Sequence, residues 1–305
     1  MTGFKNINLS EYFKRYGIKN GVSRLMFTAN PIHIVRDFEN RKVLYYRKER
    51  KKLKKYIDKK NTVVDISFND NYTNENTVWV YWKQGLSQAP EIVKRCVASI
   101  KENVEQPVVV LNDANVEEYL RLPKSILLSN KKGNISNATL SDLIRLSLLE
   151  HYGGTWIDAT VLLTAPLPSY VTDSDFFAFQ DTFGLVENPA LFSNWLLHAT
   201  KGNNIIRQTR DSAFAYLERE KHISEYLWIY ILLTLAVEKD PASKKRIPYV
   251  NSDYSHLLFN ELGNEYDSKT IRHILKLTTV HKLTYKLTDQ AINDPKDVYN
   301  FILTH

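Results

Sequence analysis

The sequence predicts an α/β fold, an open sheet of parallel strands with flanking helices, preceded by a helical, basic N-terminal region. Two observations carry this reading. From residue 77 onward, short apolar runs alternate with stretches of helical periodicity, the pattern of strand–helix units in a parallel sheet. Before that, residues 41–60 hold eleven Lys or Arg against two acidic residues, with Leu44, Tyr45, Leu53 and Tyr56 at roughly helical spacing among them. The polar, turn-rich NDNYTNENT at 69–77 separates the two patterns and divides the chain into a region 1–70 and a domain 71–305.

TVWVYW, from residue 77, is the first strand of the domain. APEIVKRCVASIKENV follows as an amphipathic helix opened by Pro90 near its first turn. PVVVLND reads as a second strand and NVEEYLRL as a second short helix. SNATLSDLIRLSLLEHY is a third helix, with Ser, Asn and Thr available as caps and Gly153–Gly154 as its stop. TWIDATVLLT is the next strand. After residue 190 the chain reads as mostly helical, and the basic TTVHKLTYKLT alternates.

An apolar fraction of 43% fits a globular protein with a core. The single cysteine, Cys96, excludes an internal disulfide, reads as a small buried hydrophobe and points to a reducing, cytosolic compartment. No apolar run reaches the ~18–20 residues that span a bilayer. YLWIYILLTLAV at 226–237 comes nearest and reads as a buried helix. The N-terminus lacks the basic-then-apolar order of a signal peptide. The net charge of +7 is concentrated at 41–60, as a solvated helix face or as a helix lying on an anionic surface.

The chemistry centres on HYGGTWIDATVLL at 151–163. One carboxylate, Asp158, interrupts an apolar run, and such a charge needs a compensating partner. Asp142 and Arg145, three residues apart, share a helix face opposite Leu140, Ile144 and Leu148. Taken alone they read as a surface ion pair. However, their helix runs through the glycine pair directly into the strand bearing Asp158, which gathers all three at one crevice. Tyr81, Trp82, Asn112 and Asp113 also fall at carboxyl ends of strands, where open α/β sheets bind ligands.

SDLIRLSLLEHYGGTWIDATV resembles the signature of the bacterial capsular polysaccharide synthesis proteins, a branch of the D-x-D-containing sugar transferases similar to glycosyltransferase family 32. VWVYWKQGLSQAPEIVKRCVASI, FSNWLLHATKGNNII and VHKLTYK resemble further segments of that family in the same order, over about residues 77–290. The resemblance implies a GT-A fold and a retaining glycosyltransferase that moves a hexose, first of all galactose, from a UDP-sugar to a polyprenyl-linked or other cell-surface glycan. It implies that Tyr81 and Trp82 contact the base, that Asp142 and Arg145 hold the donor sugar, and that Asn194 lies near sugar or acceptor. Asp158 would then face the diphosphate through a divalent metal, manganese or magnesium. The chain carries Asp158-Ala159-Thr160 where the family pattern has a second carboxylate. Thr160 and His281 are the expected additional ligands, with Lys282 and Lys286 as phosphate partners that could also replace the metal. The acceptor class places the protein in the cytoplasm, held peripherally on the inner face of the membrane through residues 41–60.

Three other readings compete. An aspartate-nucleophile phosphohydrolase needs a second Asp where Ala159-Thr160 stands. Nucleic-acid binding through 41–60 lacks zinc-finger spacing or a glycine-rich motif, so no nucleic-acid partner is expected. An inactive transferase would follow from the altered D-x-D. The oligomeric state is not readable.

Overall fold

The computed structural model describes residues 9–28, 38–57, 65–182, 187–220, 222–287 and 295–304. Two helices lead, α1 (Leu9–Thr28) and α2 (Phe38–Ile57). The order is then β1 (Ser67–Phe68), β2 (Val78–Tyr81), α3 (Glu91–Asn103), β3 (Val108–Leu111), β4 (Leu120–Arg121), α4 (Lys124–Lys131), α5 (Asn137–His151), β5 (Gly154–Ile157) and β6 (Val161–Leu163). Next come α6 (Ser169–Thr172), β7 (Phe176–Gln180), β8 (Phe192–Ala199), α7 (Asn204–Arg219) and α8 (Trp228–Lys239). The chain closes with α9 (Pro241–Lys244), α10 (Asp253–Glu261), α11 (Ser268–Leu277), β9 (Val280–Lys282) and α12 (Val298–Thr304).

The central sheet runs β3-β2-β5-β8-β7. β3, β2 and β5 are parallel, whereas β8 pairs antiparallel with both β5 and β7. The expected all-parallel sheet is therefore corrected to a mixed one. Its two faces follow from strand alternation. Trp79, Tyr81, Trp156 and Leu197 pack with α5, α7 and α8 on one side, and Val78, Val80, Ile157 and Leu196 with α3, β6 and β9 on the other. The apolar runs are continuous because the sheet is covered on both faces.

Several elements differ from expectation. TWIDATVLLT is two strands, because Asp158–Thr160 turns the chain out of the sheet and β6 pairs instead with β9. NVEEYLRL gives a single 3₁₀ turn and then β4, not a helix. FSNWLLHA is the eight-residue strand β8, within the part expected to be helical.

α5 is capped by Ser136, whose side chain accepts from the Thr139 N–H. At the start of β5, Gly154 has φ +95°, and a Cβ there would lie 2.2 Å from the Thr77 carbonyl oxygen. Only glycine lets β5 leave the helix and pair at once beside β2.

The leading helices share the core of the sheet. Tyr45, Tyr46, Leu53, Tyr56 and Ile57 of α2 are buried in the cluster that contains α7 and α8. The Tyr45 hydroxyl donates to the Ser224 carbonyl at 2.8 Å, and Lys239 Nζ to that of Ile57 at 2.8 Å. Residues 58–60 of the basic stretch lie outside the described residues. Cys96 is fully buried in α3. α8 is apolar all round, as a helix enclosed on every side must be.

Candidate active site

A cavity of about 540 Å³ opens at the carboxyl ends of β2 and β5, within the size range of small-molecule sites. Tyr81, Trp82, Asp142, Arg145, Asp158, Thr160, Asn194, Lys282 and Lys286 all line it. Nine of the ten residues to which the family resemblance gives a role are therefore brought together. The tenth, His281, is not among them.

Asp158 leaves β5 with its N–H bonded to the Trp195 carbonyl, and its own carbonyl closes a turn onto Val161. That turn directs the side chain into the cavity. Its Oδ1 accepts from Arg145 Nη2 at 2.6 Å and from the Trp156 indole at 2.9 Å. Its Oδ2 accepts from Lys282 Nζ at 2.8 Å. Burial pushes this carboxyl upward, but the Lys282 ammonium and the Arg145 guanidinium, with the bonds from Lys282 and Trp156, outweigh it and hold the group below the usual carboxylate range. The isolated charge in the apolar run is thus compensated by two cations.

Arg145 is 4% exposed and lies over the Trp156 ring, 4.8 Å from its centroid. Its Nη1 donates to Asp142 Oδ1 at 2.8 Å, so one guanidinium bridges two carboxylates. Asn194 Nδ2 donates to the same Asp142 oxygen at 2.9 Å. Asp142 Oδ2 has no hydrogen-bond partner among the described residues. Burial pushes the Asp142 carboxyl up to about 6, against the pull of Arg145 and Asn194 and with the help of the neighbouring Asp158 charge. The bland reading of Asp142–Arg145 as a surface pair does not hold.

His281 and Lys282 are adjacent on β9, so their side chains take opposite faces. Lys282 pairs across to Val161 and reaches Asp158. His281 is fully buried on the other side, its Nε2 3.4 Å from Thr164 Oγ1, and burial lowers its pKa to about 4. It stands as a neutral core imidazole, which corrects its expected role as a ligand.

The donor set does not fit a divalent ion. Lys282 Nζ lies 2.8 Å from Asp158 Oδ2 and 2.7 Å from Thr160 Oγ1, so the ammonium sits between the two atoms expected to ligate a metal. Asp158 Oδ1 is taken by Arg145 and Trp156. Hard cations need several free oxygen ligands, and the described residues contain no group of three or more His, Cys, Asp or Glu able to hold an ion.

Tyr81 offers its ring, since its hydroxyl donates to Asp113 Oδ1 at 2.9 Å. Trp82 packs edge-on against Tyr285 at 5.1 Å, and its buried indole N–H has no partner among the described residues. Asn112 and Asp113 lie outside the lining, with Asp113 paired to Lys83 at 2.7 Å. Sequence reasoning missed Arg15 and Tyr16 of α1, Trp195 of β8, and Tyr226 and Tyr230 around the start of α8, all of which line the cavity. Tyr226 and Tyr230 were visible only as part of an apolar run, and Arg15 sits in no motif.

The model of the family described as "Capsular polysaccharide synthesis protein" matches residues 32–302. The chain belongs to the capsular polysaccharide synthesis protein family. This is the family its motifs resemble, and membership carries the enzyme class read from them, a glycosyltransferase of capsular polysaccharide synthesis. Among solved structures, the PaToxG glycosyltransferase matches 86% of this chain and 98% of its own at 14% identity and a TM-score of 0.37. The glycosyltransferase GlyE of Streptococcus pneumoniae TIGR4 matches 76% and 63% at 14% identity and 0.40. The apo bifunctional glycosyltransferase WbbM matches 77% and 50% at 11% identity and 0.41. The chain thus spans nearly all of the first, under two thirds of the second and half of the third. No match was found among curated proteins.

Proposed function

We propose that this family member moves a hexose from a nucleoside diphosphate sugar, with UDP-galactose the first donor to test, onto a lipid-linked or growing cell-surface glycan with retention of configuration. One observation carries the donor reading: the continuous chain Asp142–Arg145–Asp158–Lys282 along the wall of a cavity at the carboxyl ends of parallel strands. Breaking the anomeric C–O bond sends its electron pair onto the diphosphate. The acceptor hydroxyl forms the new bond on the same face, and its proton passes to the departing phosphate oxygen. The growing negative charge requires positive charge placed in advance. Lys282 and Lys286 supply it here, so no step needs a metal. Asp142, ionised at neutral pH and with Oδ2 open, is suited to accept from a sugar hydroxyl, while Asn194 fixes its orientation. The Tyr81 ring and Trp82 suit a flat base.

Thermal shift with UDP-galactose, UDP-glucose and their N-acetyl relatives, in EDTA and in manganese, tests this. A ligand at 100 times its Kd adds about 2.7 kcal/mol. UDP-galactose is expected to raise Tm by the same amount in both buffers. No shift with any nucleotide sugar sinks the donor reading, and a shift confined to manganese sinks the role given to the lysines.

The membrane reading is proposed on α2. Leu44, Arg47, Lys48, Lys51, Lys54 and Lys55 form its exposed face, opposite the buried Tyr46, Leu53 and Ile57. Lys55 and Arg50 are tied to Glu220 and Glu238. Arg47, Lys48, Lys51 and Lys54 have no acidic partner among the described residues, and each is worth about 1 kcal/mol near an anionic leaflet. No described helix is long and apolar enough to cross a membrane. Replacing these four by Gln is expected to release the protein from phosphatidylserine vesicles in a flotation assay and to leave transfer to a soluble acceptor intact. Equal binding to neutral vesicles contradicts the electrostatic part.

A further inference from the structure

We propose that Arg15 of the N-terminal helix joins Lys282 and Lys286 as a receptor for the donor's diphosphate, making α1 part of the active site. The inference rests on the nucleotide-sugar reading and goes beyond it, because Arg15 lies before the residues the family match covers, 32–302.

The charge in the cavity carries the argument. Its lining holds five cations, Arg15, Lys83, Arg145, Lys282 and Lys286, against the carboxylates Asp142 and Asp158. Lys83 is paired with Asp113 outside the lining. Arg145 and Lys282 share Asp158, and Arg145 also holds Asp142. The two cations left over are Arg15 and Lys286, neither with an acidic partner among the described residues. Two uncompensated positive charges facing one cavity repel each other and call for an anion of matching charge. Their proximity is felt electrically: burial lowers the Lys286 pKa, and the charges of Arg15 and Lys282 lower it further. Arg15 Nε is buried with no hydrogen-bond partner among the described residues, a cost that a ligand oxygen would remove. A guanidinium fork suits phosphate oxygens, and with the ammonium groups it gives a diphosphate three cations.

The backbone holds Arg15 there. α1 breaks two residues after it at Gly17, with φ 70° and ψ 161°. A Cβ at Gly17 would lie 2.7 Å from the His222 ring, next to the segment that brings Ile223 and Tyr226 to the cavity. The neighbouring Tyr16 is buried and lines the same cavity. The helix is therefore anchored directly after Arg15.

The test is calorimetric titration of the full chain, in EDTA and in manganese, with UDP, inorganic pyrophosphate and uridine. Wild type is expected to bind both anions. Arg15→Gln should weaken both by about tenfold, the scale of one charge-assisted contact, with uridine affinity and Tm unchanged and with partial recovery in Arg15→Lys. Equal anion affinities in wild type and Arg15→Gln overturn the role of Arg15. Pyrophosphate binding that depends on Arg15, without UDP binding, supports the receptor and overturns the uridine donor. Anion binding that needs manganese overturns the cation receptor alone. Failure to bind either anion in both buffers overturns the nucleotide-sugar reading and the receptor together.

Discussion

Asp158→Asn is expected to lower turnover by about 10²–10³-fold, the scale of one preorganised electrostatic group, and to lower Tm as well. The carboxylate accepts from Arg145, Trp156 and Lys282 at once. An amide of the same shape has one accepting end. Its other end presents N–H groups to a guanidinium or an ammonium, donor against donor. The Lys282 ammonium then loses the oxygen that holds it beside Thr160, and the positive charge for the leaving diphosphate is displaced. Arg145 is buried and keeps Asp142 as its one carboxylate. Breaking such a pair costs about 3 kcal/mol, the lower end of the range for buried ion pairs, because Asp158 itself is 25% exposed. The measurement is initial rate together with a melting curve. Loss of stability with normal turnover would make Asp158 a structural anchor only, and normal values of both would remove it from the site.

How legible this was depends on which residues announce themselves locally. α5 and its passage into β5 could be read because a Ser cap, an amphipathic run and a glycine pair each act within a few residues. β2 and β3 could be read because both are short apolar runs between turn signals, β2 fully buried and β3 half-buried at the sheet edge. β8 could not: FSNWLLHA is buried along its whole length and carries polar residues on it, so it shows neither period 2 nor period 3.6. The break at Asp158–Thr160 could not be told from a strand carrying one carboxylate, since only the pairing of β6 with β9 reveals where the sheet is left. The same pairing decides between His281 and Lys282. Alternation requires that one of the two face away, and the sequence does not say which until Val161 is known to lie opposite Lys282. That parity delivers a cation, Lys282, to Asp158 and Thr160, where the sequence suggested metal ligands. Arg15 reaches the cavity from a helix far ahead of β2, the first strand that lines it, a contact that no local pattern encodes.

Arg145→Lys is expected to cut kcat/KM by about tenfold or more, even though charge is kept, because an ammonium cannot reproduce a planar fork. Arg145 spans two carboxylates from two atoms, Nη1 to Asp142 at 2.8 Å and Nη2 to Asp158 at 2.6 Å, and lies over the Trp156 ring. A lysine satisfies one carboxylate and leaves the other short of a partner. The pH profile identifies which. The Asp142 carboxyl titrates at about 6, raised by burial and restrained by Arg145. If Asp142 must be ionised to accept from the sugar, activity falls as pH drops through that value. Weakening the guanidinium contact raises the Asp142 pKa further, so the acidic limb of kcat/KM moves toward neutral pH. The deficit of the variant is then larger at pH 6 than at pH 8. An exposed ion pair would be worth about 0–1 kcal/mol and would tolerate the exchange with no change in profile. An unshifted acidic limb would detach Asp142 from the sugar, and unchanged kcat/KM with unchanged Tm would return the pair to a passive role. A limb shifted upward with Tm lowered is the outcome that the shared guanidinium between Asp142 and Asp158 requires.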